Sequence, residues 1–344
     1  MSHNCRIWLM LSIFAFAFVG LAYGENDDSN YVEANTGSPI FGGRWFADSD
    51  DPLWTVRSDY LYMKRSPQNA RNLVTKSSGS SPGTVFLNAN EFRFDYSPGW
   101  DVSLIRQNVL GTQWSLEGLY SSIDDWSASR GIVHSTGGAY VRYKNVLGTP
   151  TTSTQADISG DYQSNLHNFE LNVRRDICPR GAFLMGFRYV NLREHLDILN
   201  EFYTTPHNLM RNSIEAKNSL IGFQMGFDGH VFSVGRFSVD GFVKAGVFNN
   251  TVQNSVAITQ TGASYKSAGR DVNTSFVGDA EISGVYKITK HLSARAGYQW
   301  MWLGGVGLVT DQVPVSDPKN GTANVSLNTT EYYNGAFGGL EFNF

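Results

Sequence analysis

Apolar and polar side chains alternate with period two along much of this chain, and the clearest run lies between Phe276 and Trp302. In its second half Leu292, Ala294, Ala296, Tyr298, Trp300 and Trp302 share one face of an extended segment, while Ser293, Arg295, Gly297 and Gln299 share the other. The first half sets Phe276, Ala280, Ile282 and Tyr286 against Asp279, Glu281, Ser283 and Lys287, with Val285 as the exception, and Thr289-Lys290-His291 supplies the turn. Strands of water-soluble sheets commonly run about 5–6 residues. Crossing hydrocarbon takes about 9–11, with aromatics where the apolar band meets water. Length and the Tyr298-Trp300-Trp302 ladder therefore predict a membrane-spanning β-hairpin, and an all-β protein built as a single up-and-down antiparallel transmembrane barrel.

The same pattern predicts further strands at 54–63, 89–106 with Pro98-Gly99 as a bulge or break, 112–122, 163–175, 182–192, 216–228, 236–249 and 332–344. That makes about ten, within a range of eight to twelve. A further hairpin piece at 139–146 would raise the number. Loops are expected at 64–88, 123–162, 193–215, 250–271 and 304–331, separated by short turns. Long and short links alternate strictly in the ten-strand reading. This is the habit of outer-membrane barrels, with short turns and both termini on the periplasmic side and long loops outside.

Composition adds an address. Residues 1–24 hold one Arg, no acid, an apolar run from Ile7 to Leu21 and then Ala22-Tyr23-Gly24, which reads as a secretory signal peptide. Residues 25–53 carry Asp27, Asp28, Asp48, Asp50 and Asp51 without a sustained period and read as an acidic periplasmic leader, leaving 54–344 for the barrel. Export to the outer membrane of a Gram-negative-type envelope follows, with the lipid bilayer as partner. The net charge of −4 gives no reason to expect nucleic acid. Of two cysteines, Cys5 leaves with the signal, so Cys178 has no intrachain partner.

Charge on the polar faces points to the lumen, because each charge turned toward lipid would cost about 2–4 kcal/mol near the midplane. The expected pore-lining set is Arg57, Asp59, Arg93, Asp95, Glu117, Glu170, Arg174, Arg188, Asp240, Lys244, Asp279, Glu281, Arg295 and Glu341. The expected lipid-facing girdle is Trp114, Phe187, Tyr189, Tyr298, Trp300, Trp302, Phe342 and Phe344. Two readings of the interior stand side by side. A barrel of about ten strands lies near the size that side chains fill, so the charges could compensate one another in a closed structural barrel with large external loops. Alternatively they form a constriction passing small polar solutes, with mixed signs opposing strong ion selectivity.

No cofactor motif or metal-ligand spacing occurs, and no catalytic residue is expected. The best enzymatic alternative is a hydrolase at the external rim, using His195, Asp197 and His207. Gly304-Gly305-Val306-Gly307 lacks the remainder of a phosphate loop and reads as a loop start. Lys64, Arg65, Arg71 and Lys76 read as a solvated external loop. A secreted soluble sandwich, with the aromatic faces as a dry core, is the remaining alternative fold.

The chain ends Leu340-Glu341-Phe342-Asn343-Phe344, which resembles the signature by which outer-membrane barrels are recognised, and this implies the barrel-insertion machinery as a partner through the Phe344 strand. Asn168–Arg175 (NFELNVRR), Gly186–Glu194 (GFRYVNLRE), Leu220–Gly229 (LIGFQMGFDG), Asp240–Asn250 (DGFVKAGVFNN) and Phe276–Gln312 are similar, in order, to blocks of the planctomycete β-barrel porin family. The resemblance covers most of 163–344 and is poorer over 64–162. It implies an outer-membrane barrel called a porin, and it brings no catalytic residues or substrate.

Overall fold

The computed structural model describes residues 53–77, 84–132, 141–144, 147, 150–153, 155–178, 180–203 and 207–344. The signal peptide, nearly all of the leader and His134 lie outside them. Ten strands close on themselves: β1 (Trp54–Arg65), β2 (Ser97–Arg106), β3 (Trp114–Ile132), β4 (Ala156–Cys178), β5 (Gly181–Phe202), β6 (Asn208–Val234), β7 (Phe237–Gln260), β8 (Ala263–Lys287), β9 (Leu292–Val306) and β10 (Thr329–Asn343). Each pairs antiparallel with its neighbours in sequence, and β1 closes the ring against β10 in the register Arg57↔Glu341. The start of β1 and the end of β10 meet there, since the Trp54 N–H donates to the Phe344 carbonyl at 2.8 Å and the Phe344 N–H returns the bond at 3.0 Å. Closure leaves no unpaired edge in the band that faces lipid, where an unsatisfied peptide group is costly.

The strands are longer than the alternation predicts, and most of the excess is at the end away from the termini. The expected loops at 193–215 and 250–271 are strand instead. β5 runs on to Phe202, β6 starts at Asn208, and β7 and β8 are joined by Thr261-Gly262, with Gly262 at φ +82. The reason is an inversion of polarity at constant parity. On β4 the even residues face inward throughout. Below Leu166 they are polar (Asn168, Glu170, Asn172, Arg174) and the outward Phe169, Leu171 and Val173 are apolar. Above it they are apolar (Ala156, Ile158, Tyr162), and the outward side carries Asp157, Ser159, Asp161, Gln163 and Asn165. β5 changes in the same way above Tyr189: Leu192, Leu196 and Ile198 point in, and Asn191, Arg193 and Asp197 point out. Six strands, β3 to β8, therefore continue past the membrane as a water-facing wall with an apolar inner side.

The segment 89–106 is not one strand. β2 begins at Ser97, and Ala89–Glu91 is a 3₁₀ turn capped by the Asn88 side chain. Phe92 and Phe94 leave the sheet and bury themselves in the apolar interior, which turns Arg93 and Asp95 out to solvent; these two are not pore-lining. The piece expected at 139–146 is a strand, Val141–Lys144, but it belongs to a separate four-stranded sheet with Asn72–Ser77, Thr84–Asn88 and Pro150–Ser153. Residues 307–328 fold back over the mouth, carrying a short helix, Val309–Gln312, whose four residues are all buried. On the outer wall Trp302 lies flat over Gly278, where a Cβ would stand 1.7 Å from the indole ring. Glycine at that position makes the close aromatic seat possible.

Candidate functional site

The lumen of the membrane-spanning half gathers charge. Twelve of the fourteen residues expected there point inward: Arg57, Asp59, Glu117, Glu170, Arg174, Arg188, Asp240, Lys244, Asp279, Glu281, Arg295 and Glu341. The eight girdle residues take the outward face, with Phe187 67% exposed and Phe344 54% exposed to what would be lipid, while Tyr298 and Trp302 are half-buried against neighbouring side chains.

Glu170 is the hub. It is fully buried and accepts hydrogen bonds from Lys244 Nζ at 2.9 Å, Gln224 Nε2 at 2.7 Å, Asn172 Nδ2 at 3.1 Å and Asn168 Nδ2 at 3.2 Å. Gly186 faces this cluster from β5, where a Cβ would lie 2.5 Å from Asn172 Oδ1, so its missing side chain is what lets the amides close on the carboxylate. Arg188 crosses the same space. Its Nε donates to Asn168 Oδ1 at 2.7 Å and stands 3.4 Å from Glu170, while one Nη reaches Asp279 at 3.6 Å. Gln299 donates to Asp279 at 3.0 Å. Arg174 bridges Glu117, at 2.7 Å, and Asp228. Arg57 pairs with Glu341 at 2.7 Å, and Arg295 with Glu281 at 2.7 Å and Asp59 at 3.6 Å. Arg57–Glu341 and Arg188–Glu170 are ordinary partners on adjacent strands, whereas Lys244–Glu170, on β7 and β4, and Arg188–Asp279, on β5 and β8, join strands that are not neighbours and so cross the interior. A cavity of about 40 Å³ remains among them, room for a few water molecules.

A second charged cluster sits above the first, inside the apolar half. Arg65 is fully buried and pairs with Glu194 at 2.7 Å and Glu331 at 3.0 Å. Its guanidinium lies 4.5 Å from the Phe94 ring centroid and 5.5 Å from that of Tyr162, whose hydroxyl donates to Glu194 at 2.9 Å. Ser66 and Gln68 complete Glu331, at 2.6 and 3.3 Å. The fold-back is tied to the same cluster: the Val309 N–H donates to Glu194 at 2.8 Å, and Gly307 bonds Asn218 through both its N–H, at 2.8 Å, and its carbonyl, at 2.9 Å. Arg65 therefore does not belong to a solvated loop, because β1 runs two residues further than predicted and odd residues point in. Glu331, which falls in an expected loop, is on β10. Asp101, inward on β2 and opposite Asp59 in register, was legible only from the Trp100-Val102-Leu104 alternation after Pro98.

The histidines do not assemble a rim site. His195 Nε2 lies 3.3 Å from Asp197, and both face outward on the extended wall of β5. His207 pairs instead with Glu201 at 3.1 Å. His230 meets Asp240 at 2.7 Å, near the opposite end of the barrel. Among the described residues no group of three or more His, Cys, Asp or Glu side chains is arranged to hold a metal ion.

Comparison with known proteins follows this geometry. No curated protein sequence matches the chain. Solved structures that resemble it include the outer membrane protease OmpT from Escherichia coli, at 12% identity and TM-score 0.44, covering 86% of this chain and 97% of that one. The translocator domain of the autotransporter NalP from Neisseria meningitidis matches at 11% identity and TM-score 0.34, covering 86% and 90%. The toluene transporter TodX of P. putida matches at 8% identity and TM-score 0.29, covering 86% and 91%. The family model described as "Putative beta barrel porin-7" matches residues 136–334, more than half of the chain and the part that holds six of the ten strands, β4 to β9, whole together with the start of β10. With its closed ring of strands and its lipid-facing aromatics, the chain belongs to this family of outer-membrane β-barrels.

Proposed function

We propose that this protein is a closed outer-membrane barrel that supports a tall, water-facing extracellular wall, and that it is not an open diffusion pore. The observation that carries this reading is the central ion-pair layer, where Glu170, Lys244, Arg188 and Asp279 leave only about 40 Å³ free. Ten strands lie near the barrel size that side chains fill. A second closure stands above it, formed by the apolar interior and the 307–328 fold-back. Charges of both signs, mutually paired, suit a network that rigidifies the barrel.

The family description favours a second reading, passive transport of small polar solutes, which would require both closures to move. A surface hydrolase has less support, since His195 and Asp197 face outward on the wall of β5 and His207 pairs elsewhere, with Glu201. The deciding measurement is conductance of the purified mature barrel in planar bilayers. Wild type should give no unitary steps in concentrated KCl. Deleting residues 308–326 together with Arg188→Ser and Lys244→Ser should produce them. Steady unitary currents from wild type would sink the closed reading.

A further inference from the structure

The outer wall just above the girdle carries a row of bases that the closed barrel does not use. Arg193 on β5 is the register partner of Lys217 on β6, Lys217 that of Gln253 on β7, and Gln253 that of Arg270 on β8. All four face outward, and Arg193, Gln253 and Arg270 are exposed. Like charges placed directly opposite across a sheet, as Arg193 and Lys217 are, destabilise it in isolation. Glu215 holds Arg193 at 2.6 Å and so compensates one base of the three.

Depth identifies the environment. Six residues lower, Phe187, Phe223, Val247 and Phe276 form a wholly apolar row in the same register, each exposed. Four residues below the bases comes the row Tyr189, Ile221, Asn249 and Thr274, where the apolar wall ends. Four residues are about 13 Å along a strand, and less in height once the strand tilts. That is the level of lipid headgroups, on the side away from the short turns. Neighbouring strands stand about 4.8 Å apart, so Arg193 to Arg270 spans about 14 Å. This exceeds a single phosphodiester and suits a headgroup that holds two phosphates apart on sugars.

We propose that the row Arg193, Lys217 and Arg270 binds the phosphates of a phosphorylated glycolipid in the outer leaflet, with its acyl chains against Ile221, Phe223 and Phe276. The site rests on the barrel orientation and is independent of whether the lumen conducts.

The test is titration of the purified full barrel, in neutral detergent, with bisphosphorylated lipid A, with the same lipid stripped of phosphate, and with phosphatidylglycerol. Bisphosphorylated lipid A should bind best. Lys217→Gln with Arg270→Gln should weaken it on the order of tenfold, whereas Arg180→Gln with Arg236→Gln, on the periplasmic turns, should leave it unchanged. Equal binding of the stripped lipid, or an unaltered double variant, would overturn the proposal. Equal binding of phosphatidylglycerol would overturn the choice of a glycolipid. Should the variant not fold, added salt must weaken binding to wild type, and insensitivity to salt would count against the site.

Discussion

The lower half of this barrel is a closed ring of ten strands and the upper half is the continuation of six of them, β3 to β8, with the same inward parity, yet the two are opposite in chemistry. Below the level of Tyr189 and Ile221 the outside is apolar and the inside holds Glu170, Lys244, Arg188, Arg174 and their partners. Above it the outside is polar, and the inside is an apolar core of Leu192, Leu196, Ile198, Ile214, Val256, Leu303 and Trp126. Each half obeys its own solvent. Lipid selects apolar side chains without, and the charges displaced inward must then satisfy one another. Water reverses the choice, so the upper half is held by hydrophobic burial like a soluble protein. Period two supplies only two faces, so the change of solvent is written as exchanged chemistry with no change of register.

The contrast is sharpest where it is violated. Arg65 places a charge in the apolar half, held by Glu194 and Glu331. Arg65→Met would strand two buried carboxylates, and a loss of about 3–5 kcal/mol is expected in urea unfolding of the detergent-solubilised barrel. A loss under about 1 kcal/mol would mean that water reaches the cluster. The next largest effect is expected from Phe187→Arg, which puts a charge into the lipid-facing band. Its cost should be about 2–4 kcal/mol for refolding into vesicles, with less protein showing heat-modifiable migration. The smallest belongs to Leu199→Arg, twelve residues along the same face of the same strand but above the band. It should change stability by no more than about 0.5 kcal/mol. If Leu199→Arg proved as costly as Phe187→Arg, the upper wall would itself lie in lipid and the division drawn here would fail.

The ion pairs of the lower half also differ from the Arg65 cluster in their surroundings. Glu170 has four hydrogen-bond donors and a guanidinium nearby, so losing one partner leaves others. Arg65 is the sole base beside Glu194 and Glu331 among the described ion pairs. This difference is why the upper cluster is the more fragile of the two, although it is the smaller.

Much of the lower half is legible in the chain. Tyr298, Trp300 and Trp302 on one parity and Arg295 and Gln299 on the other identify a strand, its two faces and the solvent of each, because hydrocarbon tolerates no exception near its midplane. Twelve lumen residues follow from that rule alone. The upper half is less legible, because at Val190 the apolar positions change parity and the alternation looks broken although the strand continues. Arg93 and Asp95 show the converse error: Phe92 and Phe94 keep the period of a strand, yet they are spaced to enter a core that many distant residues create together.

Local alternation and turn residues thus determine by themselves that the chain is a membrane barrel and which side chains of its lower half look inward. Tertiary structure alone decided which lumen charges pair with which, that Arg65, Glu194 and Glu331 meet, and that residues 307–328 fold back over the mouth. The physical reason is range. A face of a strand is a property of neighbours two residues apart, whereas an ion pair across a lumen or a cap on its mouth depends on how ten strands are staggered around a ring, and no short stretch of sequence carries that information.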